Sequence, residues 1–83
     1  MARSQLDIFL ASMYRADVLK EGSLKEATRL TKKVLSSSQP MMEEARRMQT
    51  ELRPVVKKRG EHVHIEKKKL EYLDMLLDER APA

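Results

Sequence analysis

Residues 52–69 read LRPVVKKRGEHVHIEKKK, and whether a helix survives passage through them decides the fold. Upstream, Met41, Ala45, Met48, Leu52 and Val55 step by four, three, four and three residues, the seam of a coiled coil. Continued in the same register, the seam lands on Arg59, His62, Glu66 and Lys69 and fails. Apolar residues resume one position over, at Val56, Val63, Leu70, Leu73 and Leu77, with Leu76 beside them. Such a change of phase goes with a kinked or broken helix. Pro54 and Gly60 mark the place, and a proline inside a helix costs about 3 kcal/mol. The stretch therefore predicts a long helical segment from about residue 40 to 79, kinked or broken near Pro54–Gly60, with helices over about 40–53 and 61–79.

Working outward toward the N-terminus, Ser4 stands three residues ahead of Asp7 in a capping-box-like pattern, and Gly22 stands where a left-handed cap is wanted. Between them Leu6, Phe9, Leu10, Met13 and Ala16, with Val18 and Leu19 as candidates, recur at helical spacing, which predicts a helix over about 4–21. Ser23 and Glu26 repeat the capping pattern for a second helix over about 24–37, striped by Leu24, Ala27, Leu30 or Thr31, Val34 and Leu35. The implied link at Gly22 is one or two residues long and lays the two helices side by side. Three serines and Pro40 end the second helix, and Pro40 followed by Glu43 and Glu44 suits the first turn of a third.

The bulk composition agrees. Of 83 residues, 41% are hydrophobic and 36% charged, with three aromatics and two glycines. That is too few turns and aromatics for a sandwich or barrel, and the commonest residues are helix formers. The expectation is a single all-α domain over 1–83, a small bundle of three to four helices with a frayed tail at 81–83. A chain this short buries only about 60% of the surface its unfolded form exposes, so its core is thin and a partner or a second copy is expected to extend it. There is no cysteine and no run of apolar residues long enough to span a bilayer. A cytoplasmic or nuclear protein without a signal peptide is expected.

The formal net charge is +4, unevenly spread. Between Arg46 and Lys69 lie nine basic and three acidic residues. Arg46, Arg47, Lys57, Lys58, Arg59, Lys67, Lys68 and Lys69 are the candidate contacts for a polyanion. The stretch holds no Phe, Tyr or Trp to stack on single-stranded bases, which weakens the nucleic-acid reading without removing it. His62 and His64 suggest a metal, but on a helix they point roughly 160° apart, and the surrounding lysines and arginines would repel a cation. No nucleophile–base set, phosphate loop or carboxylate pair is evident, so neither catalysis, a cofactor nor a small-molecule substrate is expected.

The Leu and Met residues make the favoured candidate surface: Met41, Met42, Met48, Leu70, Leu73, Leu76 and Leu77. Met is adaptable and suits faces that receive a partner helix, and the C-terminal Leu stripe is broader than a coiled-coil seam. The functional expectation is a non-enzymatic interaction module, an adaptor, chaperone-like protein or assembly subunit, that binds a protein or itself through these stripes with a basic rim. The alternative is a nucleic-acid-binding protein that sets Arg46–Lys69 on the phosphate backbone. No family resemblance reaches the level of a motif.

Overall fold

Four helices follow one another in the computed structural model, which describes residues 4–59 and 63–77: α1 (Gln5–Asp17), α2 (Leu24–Ser37), α3 (Gln39–Arg59) and α4 (His64–Leu77). They form an all-α bundle, as the periodicity predicts. α1 pairs with α2, α3 packs most extensively on α4, and α4 touches all three others. The Cα radius of gyration, 12.5 Å, is close to the value of about 12 Å expected for a compact chain of this length, so the long third helix folds back rather than extending as an arm.

The helix starts use the residues that the sequence marks. The Ser4 hydroxyl accepts from the Asp7 N–H at 3.2 Å and Ser23 accepts from the Glu26 N–H at 3.2 Å. Ser38 does double duty. It closes α2, its N–H donating to the Leu35 carbonyl, and it opens α3, its hydroxyl accepting from the Met41 N–H at 3.3 Å. The shortest link in the described chain is therefore this single serine and not the joint at Gly22. Ser36 and Ser37 both turn their hydroxyls back onto the Lys33 carbonyl, the local competition that ends a helix.

α1 stops at Asp17, four residues before the expected end at 21. The Arg15 carbonyl accepts from both Leu19 and Glu21 N–H, and Lys20 takes the left-handed conformation at φ 58°. Gly22 follows at φ 117°, so the reversal assigned to one glycine is shared by a lysine and a glycine. The link is six residues, Val18–Ser23, and Val18 and Leu19, candidates for the apolar stripe, lie exposed on it.

α3 runs through Pro54 to Arg59, and the break falls after Arg59 and before His64. Pro54 has no N–H to return to the Thr50 carbonyl, but both residues are exposed, which leaves that part of the helix open to water. Arg53, beside the proline, is tied to Asp74 of α4 at 2.9 Å, and three basic residues close the helix where its dipole favours them. Residues 60–62 and 78–83, which include Gly60, His62 and the expected frayed tail, lie outside the described residues.

The core is built from Leu6, Leu10, Met13, Leu35, Met41, Ala45, Tyr72, Leu73 and Leu76, with half-buried residues packed around it. In α2 the alternative between Leu30 and Thr31 resolves toward the less apolar residue. Thr31 is fully buried with its hydroxyl donating to the Ala27 carbonyl at 2.7 Å, while Leu30 is 46% exposed. Positions 24, 27, 31, 34 and 35 span about 100° of the helix, whereas 30 in place of 31 widens the face to about 140°, and a threonine bonded to its own helix brings no unsatisfied group inside. Among the described residues no helix is long and apolar enough to cross a membrane.

Candidate functional site

The seven Leu and Met residues proposed as a binding stripe divide by depth. Met41, Leu70, Leu73 and Leu76 are buried in the bundle, whereas Met42, Met48 and Leu77 are half-buried against its edge. The breadth of the C-terminal Leu stripe is what a helix needs when it touches three neighbours. The large apolar side chains left more than a third exposed are a different set: Ile8, Leu30, Val55, Ile65 and Met75 on the helices, with Val18 and Leu19 on the first link.

The eight basic candidates divide as well. Lys68 bonds Asp17 at 3.1 Å and lies 3.9 Å from Glu71, and Lys69 lies 4.0 Å from Asp7. The other six, Arg46, Arg47, Lys57, Lys58, Arg59 and Lys67, are exposed, and no described carboxylate comes within 4.0 Å of them. Arg53 is also engaged, sharing Asp74 with Gln49, whose side-chain amide donates at 2.7 Å. The structure therefore does not bring the nine cations of 46–69 together as one patch. It turns those on the inner face of α4 onto α1 and leaves the end of α3 unpaired among described residues.

Where α4 meets the C-terminal end of α1, three side chains form a polar junction. The Tyr72 ring is buried, and its hydroxyl donates to Asp17 Oδ2 at 2.7 Å, the same oxygen that receives Lys68 Nζ. The hydrogen bonds from Tyr72 and then from Lys68 hold the Asp17 carboxyl below its usual range. The bond to Asp17 raises the Lys68 ammonium above its ordinary value. Tyr72 is pushed well upward, mainly by burial and then by its bond to the carboxylate. Nearby, Asp7 Oδ1 is buried without a hydrogen-bond partner at the edge of a recess of about 190 Å³ between α1 and α4, with Lys69 opposite it. The junction stabilises the docking of α4 on α1 and uses up the charges that make it.

Among the described residues, two surfaces stay open beside unpaired cations. At the end of α3, Pro54, Val55, Lys58 and Arg59 line a shallow depression of about 700 Å³. Between α2 and α4 runs a mostly apolar groove of about 480 Å³, with Leu24, Thr28 and Met75 in its walls and Lys25, Arg29 and Lys32 along its rim. No protein-family model matches the chain, and no curated protein or solved structure is significantly similar to it. The surface itself thus carries the functional reading. Among the described residues no three His, Asp or Glu side chains come together to hold a metal ion, and His64 instead meets the Tyr14 ring edge to face at 6.5 Å.

Several of these positions were not singled out from sequence. Asp17, Tyr72, Gln49 and Asp74 meet across more than twenty residues of chain, and no local pattern marks such partners. Lys25, Arg29 and Lys32 did carry a signal. Their spacing of four and three residues puts them on one flank of α2, although the charge is denser downstream, between Arg46 and Lys69.

Proposed function

We propose that this protein is a non-enzymatic helical interaction module that binds an acidic protein partner through exposed apolar residues rimmed by basic side chains, acting in the cytoplasm or nucleus. One observation carries the reading: exposed apolar side chains sit beside cations that have no described partner. At the end of α3, Val55 and Pro54 adjoin Lys58 and Arg59. Between α2 and α4, exposed Met75 and half-buried Leu24 adjoin Lys25 and Lys32. Apolar anchors supply affinity when they are covered, and unpaired charges around them steer and select an acidic partner. The Leu and Met stripe contributes chiefly from inside, by holding the helices that present these surfaces; Met42, Met48 and Leu77 can extend the contact at its edge.

The test is retention of proteins on the immobilised chain, compared with a variant in which Val55 and Met75 are changed to Ser. The reading expects an acidic partner that the wild type retains and the variant loses. Equal retention by both would refute it.

Binding to a nucleic-acid backbone is the second reading, favoured by the exposed run Lys57, Lys58 and Arg59 and by exposed Arg46 and Arg47 about three turns earlier on the same helix. It requires affinity for a generic duplex at low salt that collapses as salt rises and that a Lys57/Lys58/Arg59 triple Ala change weakens. No duplex binding near 50 mM salt, a condition in which such contacts are strong, removes it.

A further inference from the structure

Resting on the interaction reading, we infer that the groove between α2 and α4 is the docking site and that its occupant is an acidic amphipathic helix. The floor and the rim ask for different halves of such a helix. Leu24, half-buried, and Met75, 41% exposed, give the groove an apolar floor that a monomer leaves in water. Met is the side chain that adapts best to an incoming apolar residue. Lys25, Arg29 and Lys32 stand four and three residues apart along one flank of α2, so their charges span about 10 Å of helix axis. A helix lying along the groove with acidic residues at i, i+4 and i+7 would face all three, while its apolar stripe covers Met75 and Leu24.

Charge selects this occupant. Lys25 and Lys32 have no described carboxylate within 4.0 Å, and Arg29 meets only Glu26, one turn before it on the same exposed face. A duplex would answer the lysines but leave the apolar floor uncovered, because a phosphate backbone has no side chains to insert. A second copy of this chain would bring a further net charge of +4 against a basic rim. The depression at the end of α3 carries two cations, Lys58 and Arg59, and among the described residues α3 alone lines it, with no second helix to make a floor.

The experiment uses the full chain and a fluorescein-labelled synthetic helix with Glu at i, i+4 and i+7 beside a Leu stripe, followed by anisotropy and by amide chemical shifts. Three proteins are compared with wild type: Lys25→Glu/Lys32→Glu, Met75→Ser, and Lys57→Glu/Lys58→Glu. All these positions are exposed, and circular dichroism confirms that each variant is folded. The expected result is that the first two weaken binding about tenfold or more and the third changes it little. The Lys25→Glu/Lys32→Glu protein should recover affinity for the same peptide carrying Lys in place of Glu. Shifts should concentrate on residues 24–32 and around Met75.

Binding that is insensitive to the α2 and Met75 changes but lost with the α3 change overturns the groove and leaves the interaction reading standing. No binding of the acidic helix by wild type, together with salt-sensitive binding of a duplex, overturns both. Concentration-dependent dimerisation abolished by Met75→Ser overturns the acidic helix as occupant in favour of a second copy.

Discussion

Two groups of lysines, each in a run of three basic residues, behave in opposite ways. Lys68 and Lys69, in the triplet within the first half of α4, face α1 and meet Asp17 and Asp7. Lys57 and Lys58, in the triplet that closes α3, face solvent with no described carboxylate in reach. The first pair is part of how the bundle is held together. The second pair, like Lys25 and Lys32 on α2, leaves its charge available to a partner. What separates them is helical phase. The apolar stripe of α4 faces the other helices, Lys68 and Lys69 flank that stripe, and α1 happens to present acids there. The last turns of α3 pass beyond the core, as the declining burial from Ala45 through Leu52 to Val55 shows, so no acidic residue among those described is opposite.

The sharpest way to break the contrast is to empty the closed side. Leu73 is fully buried between α4 and its neighbours, and Leu73→Ala should destabilise the protein by about 3 kcal/mol in urea titration, a large share of the total for so small a domain. Leu30→Ala on the exposed face should change it by less than about 0.5 kcal/mol. Next comes the polar junction. Tyr72→Phe keeps the ring in place but removes the donor to Asp17, and a loss of about 1 kcal/mol is expected, against almost none for Tyr14→Phe.

The junction should also show in the pH dependence of stability. Asp17 has a folded pKa below its ordinary 3.8, so its contribution is full above that value and disappears as pH falls through the lowered one. Lys68 and Tyr72 are raised above their ordinary 10.5 and 10.0, so theirs are full below those values and are lost as pH rises through the raised ones. Thermal melts of wild type and Asp17→Asn should therefore converge at the acid end. A constant gap through pH 3 would contradict the junction. The smallest expected effect is on the open side: a Lys57/Lys58/Arg59 triple Ala change should leave stability within about 0.5 kcal/mol.

The fold was largely legible in the sequence. Caps at Ser4 and Ser23 and stripes of three- and four-residue steps located the helices, because capping and burial of one face are local requirements. The exceptions are instructive. Pro54 forecast an interruption that came several residues later, since a proline on a solvent-facing turn is tolerated when packing and an Arg53–Asp74 pair hold the helix around it. Lys20 took a left-handed conformation that composition assigns to glycine. The surface was less legible than the core. A leucine at helical spacing reads as either core or contact, and only the packing of all four helices shows that Leu70, Leu73 and Leu76 are inside. For the same reason the eight-residue basic set could not be sorted into engaged and open members before α1 and α4 were seen side by side.

The most direct test of this division compares two variants by two readouts: Lys68→Ala and Lys25→Ala/Lys32→Ala, each measured for thermal midpoint and for affinity toward the acidic synthetic helix. The expected result is a crossed pattern, with Lys68→Ala lowering the melting temperature while affinity holds, and Lys25→Ala/Lys32→Ala lowering affinity while the melting temperature holds. Two variants that move both quantities alike, or that exchange roles, would contradict the division between charges that hold the bundle and charges that meet a partner.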